Sequence, residues 1–200
     1  MGYIYTIGHS TNIVESFVNL LDKYQINCVI DVRGIPFSKY APQYNKDNIK
    51  NLLNKHGIYY IYMGDVLGAR RKEPELYSRE GYLDFAKVRE NTIFLNGINR
   101  VINGIKKGYT ISLMCTEKEP LMCHRSILLG REFQHNNYEV YHILENGEIE
   151  SQISLEERLL DLYFKDRTQL SMFDTQEDNF TKLISDAYRL QNKKIGYHLS

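Results

Sequence analysis

The amino-acid sequence predicts an α/β fold: an open, mostly parallel sheet of about five strands with flanking helices and a helical C-terminal extension. Two patterns indicate this fold. Short runs of β-branched, aromatic and other apolar residues alternate with longer segments of helical apolar spacing, as in strand–helix–strand units. The run at residues 26–32 is apolar almost throughout, which is typical of a strand covered on both faces. We therefore expect right-handed crossovers between parallel strands.

The first part of the chain contains three predicted strands. Residues 3–7 are β-branched or aromatic and end at a polar turn, after which apolar spacing over residues 13–24 predicts a helix. Residues 26–32 form the second predicted strand. A helix at residues 47–56 precedes the third strand, residues 58–63, and the glycine between them is a helix-ending signal.

The next part begins with an irregular or short-helical excursion at residues 73–91, where apolar residues follow no clear period. A helix is predicted at residues 92–107 from its apolar spacing, and the glycine that follows ends it. Residues 109–115 form the fourth predicted strand, residues 126–134 its following helix, and residues 138–144 the fifth strand.

After the fifth strand the pattern changes. Residues 145–148 are a polar, glycine-containing turn that we expect to lead the chain away from the sheet. We therefore divide the chain into an α/β domain, residues 1–150, and a helical extension, residues 151–200. Apolar spacing within this extension predicts helices at residues 155–164 and 180–190.

The composition of the 200-residue chain is that of a globular protein. Its 25 acidic and 25 basic residues give zero formal net charge, so no overall field attracts a nucleic acid or a membrane. No apolar run approaches the roughly 20 residues of a membrane-spanning helix, and the N-terminus does not resemble a secretory signal. With only three cysteines, we expect a soluble cytoplasmic protein whose thiols are reduced or metal-bound.

The loop after the fourth predicted strand contains the densest set of reactive side chains. Because ligands of open α/β sheets bind beyond the carboxyl ends of the strands, side chains that follow the other strands should join this loop. The residues that we expect to act in catalysis are Cys115, Glu117, Cys123, His124 and His9. Those that we expect to bind substrate are Ser10, Asp31, Arg33, Arg70 and Arg125.

The two cysteines of this loop allow three interpretations. Cys123 lies near a helix start beside His124 and Arg125, and such surroundings lower a thiol pKa, so it is a candidate nucleophile. Cys115 could be that nucleophile instead, or a small buried apolar residue at a strand end. The two thiols with a histidine could also bind zinc. Seven residues separate them, however, which does not match a standard zinc knuckle, so we predict no cofactor.

Basic and aromatic residues that follow the strands indicate the kind of substrate. Arginine side chains interleaved with tyrosines suit phosphates and nucleobases, so we expect an anionic substrate such as a nucleotide or a nucleic acid. The alternative is a solvated charged rim, because acidic residues such as Glu73 and Glu75 are close in sequence. Arg33 could likewise do no more than pair with Asp31.

Several short motifs occur in order along residues 3–145. They are Thr6-Ile7-Gly8-His9-Ser10, Asp31-Val32-Arg33 with Pro36 and Ser38, Leu67-Gly68, and Met114-Cys115 with Glu117, Pro120 and Cys123-His124-Arg125. In these motifs the chain resembles the uncharacterised family DUF488, with Ala69 standing where a second glycine is expected. The resemblance implies a Rossmann-like α/β fold and an enzyme with a cysteine-containing motif, but no defined reaction.

A short peptide in the C-terminal extension has a different character. Gln169, Leu170, Met172 and Phe173 resemble the motif by which bacterial DNA-processing proteins bind the DNA polymerase sliding clamp. An extended peptide could place the three apolar side chains in pockets of such a partner. The alternative is that these side chains pack on the domain itself.

The main hypothesis is an enzyme whose cysteine, histidine and arginine side chains act on an anionic substrate at the carboxyl edge of the sheet. A first alternative is a non-catalytic module of DNA metabolism that binds nucleic acid and the sliding clamp. A second alternative is a structural protein whose cysteines bind zinc.

Overall fold

The computed structural model describes residues 2–165 and 176–198 and confirms the α/β fold. The strands of its sheet are β1 (Gly2–Gly8), β2 (Cys28–Asp31), β3 (Tyr59–Tyr62), β4 (Ile111–Cys115), β5 (Tyr138–Ile143) and β6 (Ile149–Ser151). They are hydrogen-bonded in the order β3-β2-β4-β1-β5-β6. All neighbouring strands are parallel except β5 and β6, which are antiparallel.

The helices between and after these strands cover most of the lengths that the sequence predicts. They are α1 (Val14–Lys23), α2 (Lys46–Lys55), α3 (Gly64–Leu67), α4 (Phe85–Glu90), α5 (Thr92–Lys106), α6 (Arg131–His135), α7 (Gln152–Tyr163) and α8 (Gln176–Ile195). Shorter 3₁₀ turns occur at Pro42–Tyr44, Pro74–Leu76 and Pro120–Met122. Among the described residues, no helix is both long enough and apolar enough to cross a membrane.

All five predicted strands are present, but the expectation that residues 145–148 lead the chain away from the sheet is wrong. These residues form a tight turn, in which Gly147 has a φ of 82° and the Asn146 side chain accepts a hydrogen bond from the Glu148 N–H at 3.0 Å. The turn returns the chain to the sheet as β6. A strand of three residues is too short to show the alternation on which strand prediction depends.

Helices cover both faces of the sheet. α1 and α2 pack on one face, where Phe17 and Leu53 are buried, whereas α5, α6, α7 and α8 contribute to the apolar cluster on the other face. The chain therefore leaves β1 and β2 toward one face, but it leaves β4, which lies between them, toward the opposite face. Loops diverge at such a switch point, and this is where open α/β sheets bind ligands.

The segment after β4 departs from the single helix predicted at residues 126–134. Arg125–Gly130 is a π-helix that continues into α6. A side chain at Gly130 would overlap the Gln152 amide, so the absence of a side chain there permits the close approach of α7. π-Helical turns are rare and occur frequently at functional sites.

His142 is a fully buried polar residue of β5. Its Nδ1 lies 2.8 Å from the Thr6 hydroxyl oxygen, and its Nε2 lies 2.8 Å from Gln152 Oε1. Because an amide oxygen only accepts hydrogen bonds, Nε2 carries the proton of the neutral ring. Burial, followed by the positive charge of Arg125, lowers the pKa of His142 to about 3.

We expect the buried neutral ring of His142 to make the protein less stable in acid. Below about pH 6.5 a histidine of the unfolded chain binds a proton, whereas folded His142 does not, so the free energy of unfolding should fall by about 2 kcal/mol by about pH 5. Urea denaturation measures this decrease. His142→Gln should remove that part of the pH dependence, and the same substitution at the exposed His56 should retain it. Identical pH dependences in the two variants would contradict the assignment.

Candidate active site

The candidate site lies where the loops after β1, β2 and β4 meet. The His9 N–H donates a hydrogen bond to the Cys115 carbonyl at 2.9 Å, which joins the loops after β1 and β4. The Val32 N–H donates to the Met114 carbonyl at 3.1 Å and brings the loop after β2 to the same place. The residues that follow these three parallel strands therefore lie together at one edge of the sheet, at the switch point.

Four side chains form a compact group beyond β4, which we call the thiol cluster: Cys115, Glu117, Cys123 and His124. Each of the two sulfurs lies 3.8 Å from His124 Nδ1. Glu117 Oε2 lies 2.9 Å from the Cys115 sulfur and 3.0 Å from the Cys123 sulfur. Both cysteines and His124 are buried, whereas Glu117 reaches the protein surface.

The hydrogen bonds of His124 indicate which ring nitrogen carries the proton and which one faces the sulfurs with a lone pair. Its Nε2 lies 3.2 Å from the main-chain carbonyl oxygen of Val32, which can only accept a hydrogen bond. Nε2 therefore carries the proton of the neutral ring. The lone pair of Nδ1 is then directed toward Cys115 and Cys123.

Arg125 stabilises the loop that carries the thiol cluster. It is fully buried, and its guanidinium donates hydrogen bonds to the main-chain carbonyls of Glu117 and Lys118. Its main-chain N–H is directed at the Cys123 sulfur, 3.5 Å away. The Ser126 hydroxyl donates to the Cys123 carbonyl at 3.0 Å. These contacts fix the positions of the main chain and of the Cys123 sulfur.

Arg33 belongs to a buried network on the β2 side of the site. Its Nε and Nη2 donate to the two carboxylate oxygens of Asp31 at 2.9 and 2.6 Å, and Nη2 also donates to the Tyr44 carbonyl at 2.8 Å. The ion pair with Asp31, which the sequence left as an alternative to substrate binding, is present. The Tyr60 hydroxyl donates to Asp31 at 2.6 Å. Sequence reasoning missed Tyr60, because only the pairing of β2 with β3 brings it there.

Both ring nitrogens of His9 are hydrogen-bonded. Its Nε2 lies 3.0 Å from Nη1 of Arg33, a group that can only donate, so Nε2 accepts. The proton is then on Nδ1, which donates to the Ser10 carbonyl at 2.7 Å. The ring stacks on Tyr44 with 4.1 Å between centroids. Burial, followed by the charge of Arg33, lowers the pKa of His9 to about 4, so the ring is neutral near pH 7.

Two further residues that the sequence suggested as substrate ligands lie at the margin of the site. Ser10 has a left-handed backbone conformation with a φ of 47°, and its N–H donates to the Thr116 carbonyl at 2.8 Å. Arg70 is exposed, and its guanidinium lies 4.8 Å from the ring centroid of Tyr197. Arg70 therefore packs on the C-terminal segment and has no contact with the thiol cluster among the described residues.

Burial and mutual contacts shift the pKa values of the thiol cluster. The hydrogen bond with Cys123, followed by burial, raises the pKa of Cys115 well above its usual value. Burial alone would raise the pKa of Cys123, but contacts with Cys115 and Arg125 outweigh it and place the pKa well below its usual value. Burial and then Cys123 raise the pKa of Glu117. Burial alone would lower the pKa of His124, but the Cys123 contact outweighs it and raises that pKa.

The thiol cluster fits the ligand set of a zinc ion. Among the described residues, one ligand atom from each of Cys115, Cys123 and His124 lies within 4.8 Å of the other two. Tetrahedral zinc, with bonds of about 2.3 Å to sulfur and about 2.0 Å to nitrogen, separates such atoms by roughly 3.5–3.8 Å. Each sulfur lies 3.8 Å from Nδ1. The long spacing between the cysteines is no obstacle, because a strand end and a 3₁₀ turn position them.

The suggested sliding-clamp peptide, with Gln169, Leu170, Met172 and Phe173, lies outside the described residues. Clamp binding and the associated link to DNA metabolism therefore stay predictions. The helices on either side of it, α7 and α8, contribute Leu159 and Ala187 to the apolar cluster beneath the sheet.

Fold and site together define an α/β protein with two buried thiols and a buried imidazole, beside a carboxylate that reaches the surface, at the carboxyl edge of a parallel sheet. The chain matches the family model described as "Domain of unknown function DUF488" over residues 13–131. It belongs to this family, as the motifs in its sequence suggested. Both Cys115 and Cys123 lie within the matched region.

The chain also resembles part of a curated protein from Clostridium tetani (strain Massachusetts / E88). That protein is named UDP-N-acetylglucosamine--N-acetylmuramyl-(pentapeptide) pyrophosphoryl-undecaprenol N-acetylglucosamine transferase, and the two are 27% identical over 179 residues. The similarity covers 82% of this chain and 48% of the transferase, so the chain spans about half the length of that relative. This similarity does not assign an activity to the chain. No solved structure matches it.

Proposed function

We propose that this protein is an enzyme with a zinc centre formed by Cys115, Cys123 and His124, beside which Glu117 transfers protons. The observation that carries the proposal is the approach of the three ligand atoms within 4.8 Å of one another in a buried site. Two sulfurs and an imidazole nitrogen are ligands that zinc prefers in proteins.

The surroundings of the thiol cluster support a metal site. A histidine that binds zinc almost always donates its other ring N–H to a carbonyl, a carboxylate or water, and His124 Nε2 lies 3.2 Å from the Val32 carbonyl. The main-chain N–H of Arg125 is directed at the sulfur of Cys123. Both interactions orient ligand atoms toward a common point without help from a metal.

The number of ligands favours a catalytic zinc ion. Three protein ligands leave a fourth position open, as in catalytic sites, where zinc acts as a Lewis acid and lowers the pKa of coordinated water. The Glu117 carboxylate lies within 3.0 Å of both sulfurs and belongs to the one residue of the cluster that reaches the surface. It can therefore accept a proton inside the site and release it to solvent.

We infer an anionic substrate for this site, such as a nucleotide or a nucleic acid. Arg125 is fully buried and, among the described residues, donates to main-chain carbonyls and pairs with no carboxylate. Its positive charge stabilises the neighbouring Cys123 thiolate and favours a further negative group nearby. Arg33 does not contribute in this way, because Asp31 neutralises it.

Metal analysis of the purified protein tests the zinc centre. We expect about one zinc ion per chain, and we expect Cys115→Ser and Cys123→Ser each to remove most of it. Cys28→Ser is a matched control, because Cys28 is also buried but lies within β2, outside the thiol cluster. Glu117→Gln should retain the zinc, because we assign this residue a role in proton transfer.

Two results would contradict this assignment in different ways. Protein that contains no zinc after growth in zinc-supplemented medium, and whose Cys123 is alkylated rapidly, would favour the thiol nucleophile suggested by the sequence. Loss of zinc in Glu117→Gln would identify that carboxylate as a fourth ligand. The centre would then be a closed structural site.

A further inference from the structure

We propose that a pocket between α4, α6 and α8 binds a phosphate group. The pocket has a volume of about 200 Å³, and its lining includes Arg89, Arg131 and Arg189, one from each of these helices. We call it the arginine pocket. None of the residues of the thiol cluster lines it, so the proposal does not depend on the zinc centre. Pockets for drug-sized ligands measure roughly 300–1,000 Å³, so this one suits a smaller group.

Arg131 is the residue that points to a ligand. Its guanidinium lies 4.1 Å from the ring centroid of Tyr188, a partly buried position. Within residues 2–165 and 176–198 this guanidinium has no hydrogen-bond acceptor and no ion-pair partner. Stacking on an aromatic ring leaves the N–H groups of arginine free to donate. A partly desolvated charge without a partner is unfavourable, and an anion in the pocket would compensate for it.

Arg89 and Arg189 each pair with a carboxylate outside the described lining but add N–H donors to the same pocket. Nε of Arg89 donates to Glu132 at 2.6 Å, which leaves its two terminal nitrogens without a partner among the described residues. Burial, followed by the charge of Arg89, lowers the pKa of Arg131, so the two guanidinium groups repel each other. Arg189 is 67% exposed and has one long contact with Asp186, at 3.3 Å. It is therefore available at the entrance.

None of the carboxylates near the pocket forms a direct ion pair with Arg131 among the described residues, although Glu156 and Glu132 favour its positive charge from a distance. Asp84, the one acidic residue among the described residues of the lining, accepts a hydrogen bond from the Ala86 N–H at 2.9 Å as the cap of α4. Glu156 accepts a hydrogen bond from the Tyr188 hydroxyl at 2.8 Å. The described lining therefore contains three arginines and one carboxylate. Phosphate offers several acceptor oxygens, and arginine N–H groups bind it through charge-assisted hydrogen bonds.

Calorimetric titration of the full-length protein with inorganic phosphate, at constant ionic strength, tests the arginine pocket. We expect saturable binding that Arg131→Gln weakens at least about tenfold, because it removes a charge-assisted contact. Arg189→Gln should weaken binding by about threefold. Because Arg189 is exposed, this variant should fold and test the pocket even if Arg131→Gln does not fold. Arg100→Gln is a matched control on α5, outside the pocket, and should bind as the unmodified protein does.

A parallel titration with a single-stranded oligonucleotide distinguishes two sources of the phosphate group. If Arg131→Gln weakens binding of both probes, the pocket receives a phosphate of a nucleic-acid backbone. If it weakens the binding of inorganic phosphate alone, the ligand is a free phosphate or a small phosphorylated molecule. The proposal would be overturned if neither probe binds. It would also be overturned if the unmodified protein, Arg131→Gln and Arg189→Gln bind the probes equally well.

Discussion

Asp31→Asn should destabilise the protein by about 3–5 kcal/mol, the largest effect that we expect from a single substitution. Asp31 is completely buried, and its carboxylate accepts hydrogen bonds from Arg33 and from the Tyr60 hydroxyl. The amide would leave the charge of Arg33, which is only 4% exposed, without a counter-charge. It would also place an NH₂ group opposite other donors. The free energy of unfolding, measured by urea denaturation, gives the size of the loss.

Two further variants separate the lost charge from lost hydrogen bonding. Tyr60→Phe removes one hydrogen bond to the same carboxylate and should cost about 1.5–3 kcal/mol. The double variant Asp31→Asn/Arg33→Met removes both charges and should recover much of the stability, because a buried ion pair contributes little beyond its apolar replacement. An Asp31→Asn variant that is as stable as Tyr60→Phe would show that Arg33 finds another counter-charge in the folded protein.

Local sequence patterns were sufficient to predict the five parallel strands and most of the helices, because each depends on residues close in sequence. They were not sufficient for β6, which has three residues, or for the π-helix at Arg125–Gly130, which has the same apolar pattern as an α-helix. The strand order was not predictable either. It depends on which face each crossover helix covers, and this is decided by packing between distant parts of the chain.

The candidate site could likewise be predicted only in part from the sequence. Parallel strands end at a common edge whatever their order, so the sequence could indicate that His9, Asp31 and Cys115 lie near one another. It could not indicate how the arginines are used. Arg33 and Arg125 were expected to bind substrate, but they are buried and donate to groups within the protein, including carbonyls that no side-chain pattern reveals. In the proposed function only Arg125 acts on the substrate through its charge, because Asp31 neutralises Arg33.

Gly8, at the end of β1, lies in close contact with the loop that carries the thiol cluster. It lies opposite Cys115 in the sheet. A Cβ atom at Gly8 would overlap the main-chain carbonyl of Glu117 and would lie 3.1 Å from Nη1 of Arg125. Arg125 donates a hydrogen bond to that same carbonyl, so the loop cannot move away without the loss of this contact. The close approach therefore requires glycine at this position.

Gly8→Ala should accordingly lower the free energy of unfolding by about 3 kcal/mol, near the upper end of the usual cost of overpacking. Because the loop must shift, zinc content should decrease as well. Gly104→Ala is a matched control, since the added methyl group meets only the end of the flexible Ile111 side chain. Within α5, alanine is favoured over glycine by about 1 kcal/mol, so this variant should be at least as stable as the unmodified protein. Equal losses in the two variants would show that the contact between Gly8 and Glu117 is not what requires a glycine.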